Sequence, residues 1–289
     1  GRLRAQSAAQ GRTALLLEAG DNYSGNVVAG STNIGYVETK AVQLMKPDVF
    51  IPGNHVADAG VGSVDVATWV RNTRLLAEEF PGLPAVASNI EVPAYPGFIG
   101  PNGSYKPYKI IEIAGQGAKR ERIGVIGLVT EEVEAATDRA IKYRPHLQAA
   151  EENIAALNAQ GVDKIIVVSH LGRGKDIELA GKLQGRVAAI VGAHSHDIEP
   201  VPLWIRNAHN SADIPVVQAG AKAGWLGELN LAIKADGTTD KYRSFGRLHE
   251  IHSGIKPEAS MTAFIEQEVG QVAALETRQY STTIAEPFF

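Results

Sequence analysis

The sequence predicts an α/β fold in which helices cover a mixed sheet. Two observations predict it. Apolar runs of strand length alternate with longer stretches whose apolar residues recur every three or four positions, as in amphipathic helices. Polar clusters rich in Gly, Asp, Asn and His follow several of these runs, where α/β proteins place their ligand-binding loops. The length of 289 residues leaves ample room for a buried core.

The first part of the chain predicts a strand, a helix and a strand. The run TALLLEAGD predicts a buried strand that leads into a glycine turn, and residues 31–45 have a helical period. The segment PDVFIP predicts the next strand, which ends at Gly53. Residues 66–80 predict a second helix that Pro81 and Gly82 terminate, and LPAVASNI predicts a third strand.

The middle and end of the chain add a hairpin, two helix–strand units and a set of late strands. KPYKIIEIAG and RERIGVIGLVT predict the hairpin. Helices over residues 147–160 and 175–185 lead into the strands DKIIVVSH and VAAIVGAH, each of which ends in a histidine. IPVVQAG, LGELNLAIK and KYRSFGRLHEIH predict antiparallel strands, and residues 257–275 predict a terminal helix.

Composition excludes several classes of function. The formal net charge of −4, without a basic stripe, argues against a nucleic acid polymer as partner. The absence of cysteine excludes disulfides, thiolate zinc sites and cysteine nucleophiles. No run approaches the roughly 18 apolar residues of a membrane span, and GRLRAQSAAQGR has no apolar core of a signal peptide. No obligate protein partner is indicated.

Four polar clusters suggest a metal site. They are GDNYSG at residues 20–25, GNHVAD at 53–58, SHLG at 169–172 and GAHSHD at 192–197. Each follows an apolar run, so we expect their side chains to meet at the carboxyl ends of strands. Carboxylate, amide and imidazole ligands suit a hard or borderline divalent metal. A lone strand-end Asp is more often a turn or cap residue, but the joint occurrence of four clusters favours a metal site.

In this order and at these spacings, the clusters resemble the motifs of the calcineurin-like metallophosphoesterases. More narrowly, the chain is similar to the branch of 5'-nucleotidases, UDP-sugar hydrolases and 2',3'-cyclic phosphodiesterases. The segments SNI at residues 88–90, IGVIGLVT at 123–130 and VVQAGAKAGWLGELNL at 216–231 support this resemblance, which covers nearly the whole chain. The resemblance implies a four-layer α/β/β/α sandwich with mixed sheets, the metallophosphoesterase fold. It implies hydrolysis of phosphate esters, most simply nucleotides.

The resemblance also implies a site with two divalent ions, such as Mn²⁺, Zn²⁺ or Co²⁺, and a bridging hydroxide that attacks phosphorus. The implied ligands of the first ion are Asp21, Asn54, His170 and His194, and those of the second are Asp21 and His196. The implied catalytic dyad is His55 with Asp58, which stabilises the transition state and protonates the leaving oxygen. Metal binding can lower the pKa of water from 15.7 to about 7, which makes a nucleophile available at neutral pH.

Two departures from the family pattern affect these expectations. The family's first motif, Asp-x-His, does not occur before Asp21, so the second ion keeps an incomplete ligand set and the chain could bind only one ion. We expect the chain to be truncated at its N-terminus, because the missing strand would be a central one. The second departure is Val56-Ala57 in place of the usual Glu-Phe.

The expected organisation is a catalytic metallophosphoesterase domain over residues 1–255. Residues 256–289 would form a helix and the start of a linker to a C-terminal substrate-binding domain that is not in the chain. The resemblance implies a periplasmic, secreted or cell-surface location. The main alternative is a catalytically degenerate binding module with an incomplete metal site, and a hydrolase of sulfur esters on the same scaffold is another alternative.

Overall fold

A computed structural model describes residues 2–22, 36–57, 65–114, 120–268 and 270. Its helices are α1 Arg2–Ala9, α2 Tyr36–Leu44, α3 Val66–Glu79, α4 Glu132–Ala136, α5 His146–Asn158 and α6 Arg173–Lys182, and α7 covers residues 259–268. Its strands are β1 Leu17–Glu18, β2 Val49–Phe50, β3 Ile90–Glu91, β4 Tyr108–Ala114, β5 Arg120–Val129, β6 Lys142–Tyr143, β7 Lys164–His170, β8 Ala189–Gly192, β9 Leu203–Arg206, β10 Asp213–Gln218, β11 Trp225–Asn230 and β12 Phe245–Glu250. A short 3₁₀ helix, Lys241–Arg243, precedes β12.

The largest sheet has six strands in the order β4, β5, β7, β8, β10, β9. The β4–β5 hairpin is antiparallel, which confirms the sequence prediction, and β5, β7, β8 and β10 run parallel. The prediction that IPVVQAG forms an antiparallel strand is confirmed for one neighbour and wrong for the other, because β10 lies antiparallel to β9 but parallel to β8. Strand β9, which reverses the chain between β8 and β10, was not predicted from the sequence.

The faces of this sheet pack against different layers. Ile126 and Leu128 belong to a buried cluster with side chains of α5 and α6, including Leu157. Their neighbour Val125 belongs to another cluster together with Val49 of the β1–β2 sheet. Successive residues of a strand point to opposite faces, so one strand serves both clusters.

A third buried cluster completes the layers. Phe50 of β2 packs in it with Trp69 of α3 and Val42 of α2. The aromatic core of this cluster includes an edge-to-face contact between Trp69 and Phe98, whose ring centroids lie 4.9 Å apart. The order helix, sheet, sheet, helix confirms the predicted α/β/β/α sandwich with mixed sheets.

The small sheets are shorter than the sequence predicts. TALLLEAGD contributes only the two residues of β1, which pair parallel with β2 through Leu17 and Val49. LPAVASNI contributes two isolated bridges, at Ala85 and Val86, before the two residues of β3. Apolar character predicts burial here, but strand length depends on how many neighbouring residues are available for pairing. None of the helices in the described residues is long and apolar enough to cross a membrane.

The predicted helices are largely confirmed. Helix α3 ends where the proline and glycine signals predict, and α5 and α6 begin within two residues of their predicted starts. For the helix predicted over residues 31–45, residues 31–35 lie outside the described residues, and α2 begins at Tyr36. Helix α1 was not predicted, because its sequence lacks an apolar face.

Candidate metal centre

Asp21 lies in a tight turn directly after β1. Gly20 has φ 96° and Asp21 has φ 61°, so the chain leaves the strand through the left-handed region. A Cβ atom on Gly53 would lie 1.9 Å from Oδ1 of Asp21, so the backbone approach requires glycine there. The backbone N–H of His55 donates to Oδ1 of Asp21 at 3.1 Å. The first two polar clusters therefore meet at this carboxylate.

His170 reaches the same carboxylate from the end of β7. Its side chain is buried, and its Nε2 lies 2.9 Å from Oδ2 of Asp21. Its Nδ1 lies 2.6 Å from the carbonyl oxygen of Ala19. A carbonyl oxygen can only accept, so Nδ1 carries the proton and Nε2 is the nitrogen available to a metal. A backbone carbonyl behind a ligating imidazole is the usual orienting partner in metal sites.

His194 completes a group of three possible ligands. It follows β8 with φ 78°, and its ring centroid lies 5.1 Å from that of His170. Ligand atoms of Asp21, His170 and His194 all lie within 4.8 Å of one another. Nε2 of His194 also lies 3.3 Å from Oε1 of Glu132, at the start of α4. Three strand ends thus bring one carboxylate and two imidazoles together.

Asn54, which the family resemblance implies as a further ligand, has a buried side-chain oxygen. Its residue is 4% exposed, and its buried Oδ1 receives no hydrogen bond from any residue that the structure describes. An unpaired buried amide oxygen costs free energy unless a partner is bound. Asn54 directly precedes His55 in the chain. An amide oxygen, together with a carboxylate and imidazole nitrogens, is a ligand set that suits a divalent metal.

The other predicted site residues have different positions. His196 is exposed and is not part of the group of Asp21, His170 and His194. Its φ of 61° lies in the left-handed region, as does that of His194. His55 is half-buried beside Asp21. Asp58 lies outside the described residues, so the predicted dyad of His55 and Asp58 stays a prediction.

The charges of Asp21 and His170 support each other. Burial raises the pKa of Asp21, but the hydrogen bond and positive charge of His170 outweigh burial and hold that pKa below its ordinary value. Burial likewise lowers the pKa of His170, but Asp21 and the Ala19 carbonyl raise it above its ordinary value. Without a metal, the pair therefore retains a proton at the position where a cation would compete for the same atoms.

Two buried carboxyl groups near the centre were not singled out from the sequence. Burial raises the pKa of Glu18 to about 7, and its Oε1 accepts from the N–H of Gly20 at 2.9 Å. Burial also raises the pKa of Asp176 to about 7, and its Oδ1 accepts from the Ser169 hydroxyl at 2.5 Å. A charged residue inside the apolar run LLLEAG was the available signal for Glu18. Asp176 had no comparable signal, because acidic residues are common in first helical turns.

The sequence is similar to those of several known phosphoesterases. No family model matches the chain. It is 30% identical over 244 residues to a 5'-nucleotidase from Diplobatis ommata, an alignment that covers 77% of this chain and 38% of that protein. It is 27% identical over 269 residues to the trifunctional nucleotide phosphoesterase protein YfkN of Bacillus subtilis, covering 85% of this chain and 18% of that protein.

Solved structures give the same picture. A 5'-nucleotidase precursor from Thermus thermophilus superposes with a TM-score of 0.77 at 25% identity, covering 95% of this chain and 52% of that chain. The calcineurin-like phosphoesterase YfkN from Bacillus subtilis superposes with a TM-score of 0.69 at 21% identity, covering 93% of this chain and 86% of that chain. The chain spans about two fifths of the length of the Diplobatis ommata relative.

Proposed function

Because the chain belongs to the 5'-nucleotidase branch of the calcineurin-like metallophosphoesterases, we propose that it hydrolyses phosphate esters of nucleotides with the help of divalent metal ions. The observation that carries this proposal is the convergence of Asp21, His170 and His194 from three strand ends. The named relatives are enzymes, so they give no support to the alternative of a degenerate binding module.

The residues around Asp21 would hold the first metal ion. Asp21, His170 and His194 are close enough to share one ion, and Asn54 adds an amide oxygen that needs a partner. Divalent ions, when bound, activate water and neutralise the charge of the transferring phosphoryl group. His196 would serve a second ion together with Asp21, as the family pattern implies.

A side chain of the protein would protonate the leaving group. Hydrolysis of a phosphate ester needs an acid that gives a proton to the leaving oxygen. We assign this role to His55, whose backbone N–H holds the Asp21 carboxylate and whose ring is half-buried. Asp58 would orient the ring of His55 and raise its basicity. Proton donation by a positioned imidazole contributes about 10² to 10⁴ in rate.

The names of the relatives support nucleotides as the substrate class. Proteins from Diplobatis ommata and from the venom of Crotalus adamanteus carry the name 5'-nucleotidase, and YfkN carries the name nucleotide phosphoesterase. We assign nucleoside 5'-monophosphates as the first substrates to test. The venom relatives also favour a secreted, periplasmic or cell-surface location, which fractionation of the source cells would test.

The test of this function is an assay of the purified chain after removal of metals. Added Mn²⁺, Zn²⁺ or Co²⁺ should restore release of inorganic phosphate from nucleoside 5'-monophosphates, and His55→Ala should remove that activity. Phosphate release that is unchanged by a chelator, or no release with any of the three metals, would overturn the proposal.

We also propose that residues 1–255 form the catalytic domain. Every residue from 251 to 260 is exposed, which supports a boundary between β12 and α7. Limited proteolysis should cut first in this stretch and leave a fragment that still binds metal. Prior cleavage inside the six-stranded sheet would contradict the boundary.

A further inference from the structure

The loop after β8 carries two histidines in an unfavourable backbone conformation. His194 has φ 78° and His196 has φ 61°. Residues other than glycine reach this left-handed region at a cost, so surrounding contacts must hold them there. Burial alone cannot hold this loop in place, because Ser195 and His196 are exposed.

Gln218 supplies those contacts from the neighbouring strand. It is the last residue of β10, lies in register with Gly192 of β8 and is 4% exposed. Its Nε2 donates to the carbonyl oxygen of Ala193 at 3.1 Å, and its Oε1 accepts from the N–H of Asp197 at 2.6 Å. One side-chain amide therefore binds the backbone on both sides of the two histidines.

Ser195 extends the same network to helix α6. Its hydroxyl receives the second Nε2 hydrogen of Gln218 at 3.2 Å and the backbone N–H of Arg173 at 2.9 Å. It donates its own proton to Oδ2 of Asp197 at 2.6 Å. Every donor and acceptor of the Gln218 amide is thus used within this loop, which makes the arrangement directional and specific to an amide.

We propose that Gln218 is a positioning residue, which holds the loop of residues 193–197 so that His194 and His196 face the metal ions. This inference rests on the proposed function for its consequence, metal binding. Its structural part stands separately, because it concerns the backbone of the metal-free loop. Gln218 does not touch the reacting atoms, so it acts only through the two histidines.

Gln218→Met tests the proposal, because methionine keeps the length and removes both polar groups. The matched control is Asn207→Leu. Asn207 is 1% exposed, and its Nδ2 donates to the carbonyl oxygens of Ala180 and Leu183 at 2.8 Å each. It is thus another buried amide that binds backbone carbonyl groups, but these lie at the C-terminal end of α6 rather than beside the histidines.

The first readout is the affinity for Mn²⁺, measured by calorimetry on metal-free full-length chain. Loss of an orienting partner typically costs about 10- to 100-fold in metal affinity, and we expect this loss in Gln218→Met. Asn207→Leu should lower the melting temperature and leave the Mn²⁺ affinity unchanged. Equal Mn²⁺ affinities in parent and Gln218→Met would overturn the proposal.

The second readout does not depend on metal or on activity. A crystal structure of metal-free Gln218→Met should show that φ of His194 or His196 leaves the left-handed region. Retention of both positive φ angles would overturn the proposal even if the parent chain hydrolyses nucleotides. If Gln218→Met does not fold, Gln218→Asn replaces it: its amide, one methylene shorter, cannot reach both Ala193 and Asp197, so the same two results apply. Failure of the parent to bind Mn²⁺, with the loop relaxed in the variant, would overturn the proposed function alone.

Discussion

His170 ends a strand of seven residues and His194 follows a strand of four in the six-stranded sheet. Asp21, Asn54 and His55 follow strands of only two residues. The long strands place their histidines beside buried polar side chains, Asp176 and Gln218. The short strands rely on close backbone approach at Gly53, where a Cβ would lie 1.9 Å from Oδ1 of Asp21. The long strands also need one such glycine, since a Cβ on Gly192 would lie 2.1 Å from Oδ2 of Asp176. The two halves therefore share close approach at glycines and differ in the buried side-chain partners that the long strands add.

Asp21→Asn should have the largest effect, because Asp21 contacts residues of both halves. The neutral amide removes the charge that favours a cation, so Mn²⁺ affinity should fall by at least about 100-fold and phosphate release should fall to background. Asp48→Asn is the control, because Asp48 accepts from the N–H of Leu16 at 2.7 Å, away from the metal group. A similar loss of Mn²⁺ affinity in both variants would contradict the special position of Asp21.

His55→Ala should separate chemistry from metal binding. We expect kcat to fall by about 10² to 10⁴, because the leaving oxygen loses its proton donor. Mn²⁺ affinity should be unchanged, since the hydrogen bond of His55 to Asp21 comes from its backbone N–H, which the substitution keeps. Parallel calorimetry and phosphate assays check both results. Loss of metal with kcat preserved per bound ion would show that His55 is a ligand instead.

Gly53→Ala tests the dependence of the small sheet on close backbone approach. A Cβ there would meet the Asp21 carboxylate, so we expect a loss of about 1 to 3 kcal/mol in the free energy of unfolding together with weaker Mn²⁺ binding. Gly100→Ala is the control, because a Cβ at Gly100 meets nothing within 4 Å. Urea denaturation measures both. Equal free energies of unfolding in Gly53→Ala and Gly100→Ala would show that the fold does not depend on the close approach of Gly53 to Asp21.

The buried carboxyl group of Asp176, on α6, should make the free energy of unfolding depend on pH. Burial raises its pKa from the ordinary value of 3.8 to about 7 in the folded chain, so the unfolded chain loses the proton first as pH rises. The free energy of unfolding should therefore fall between about pH 4 and 7, by up to about 1.4 kcal/mol per pH unit. Asp176→Asn should lower this slope in metal-free protein, and the slope that remains comes from Glu18, whose pKa burial also raises to about 7. Identical slopes in parent and variant would contradict the assignment.

Glu132→Gln should have the smallest effect. Glu132 approaches His194 at 3.3 Å, but 58% of its side chain is exposed. Exposed ion pairs contribute about 0 to 1 kcal/mol, so Mn²⁺ affinity should change by no more than about fivefold. A larger change in the calorimetric affinity would mean that Glu132 is itself a ligand.

The sequence could predict one half of the centre better than the other. KIIVVSH is a long apolar run, so the position of His170 at a strand end followed directly from it. TALLLEAGD is equally apolar, yet only Leu17 and Glu18 pair in a sheet, because strand length depends on available partners rather than on apolar character. Gln218 and Asp176 could not be predicted, because their partners lie on other elements of the fold.

The central claim is that Asp21, His170 and His194 hold a divalent metal ion. An anomalous difference map from a crystal of the chain grown with Mn²⁺ tests it most directly. We expect the strongest peak between the Asp21 carboxylate and the two imidazole rings. A strongest peak elsewhere on the chain, or no peak in protein that contains manganese in solution, would contradict it.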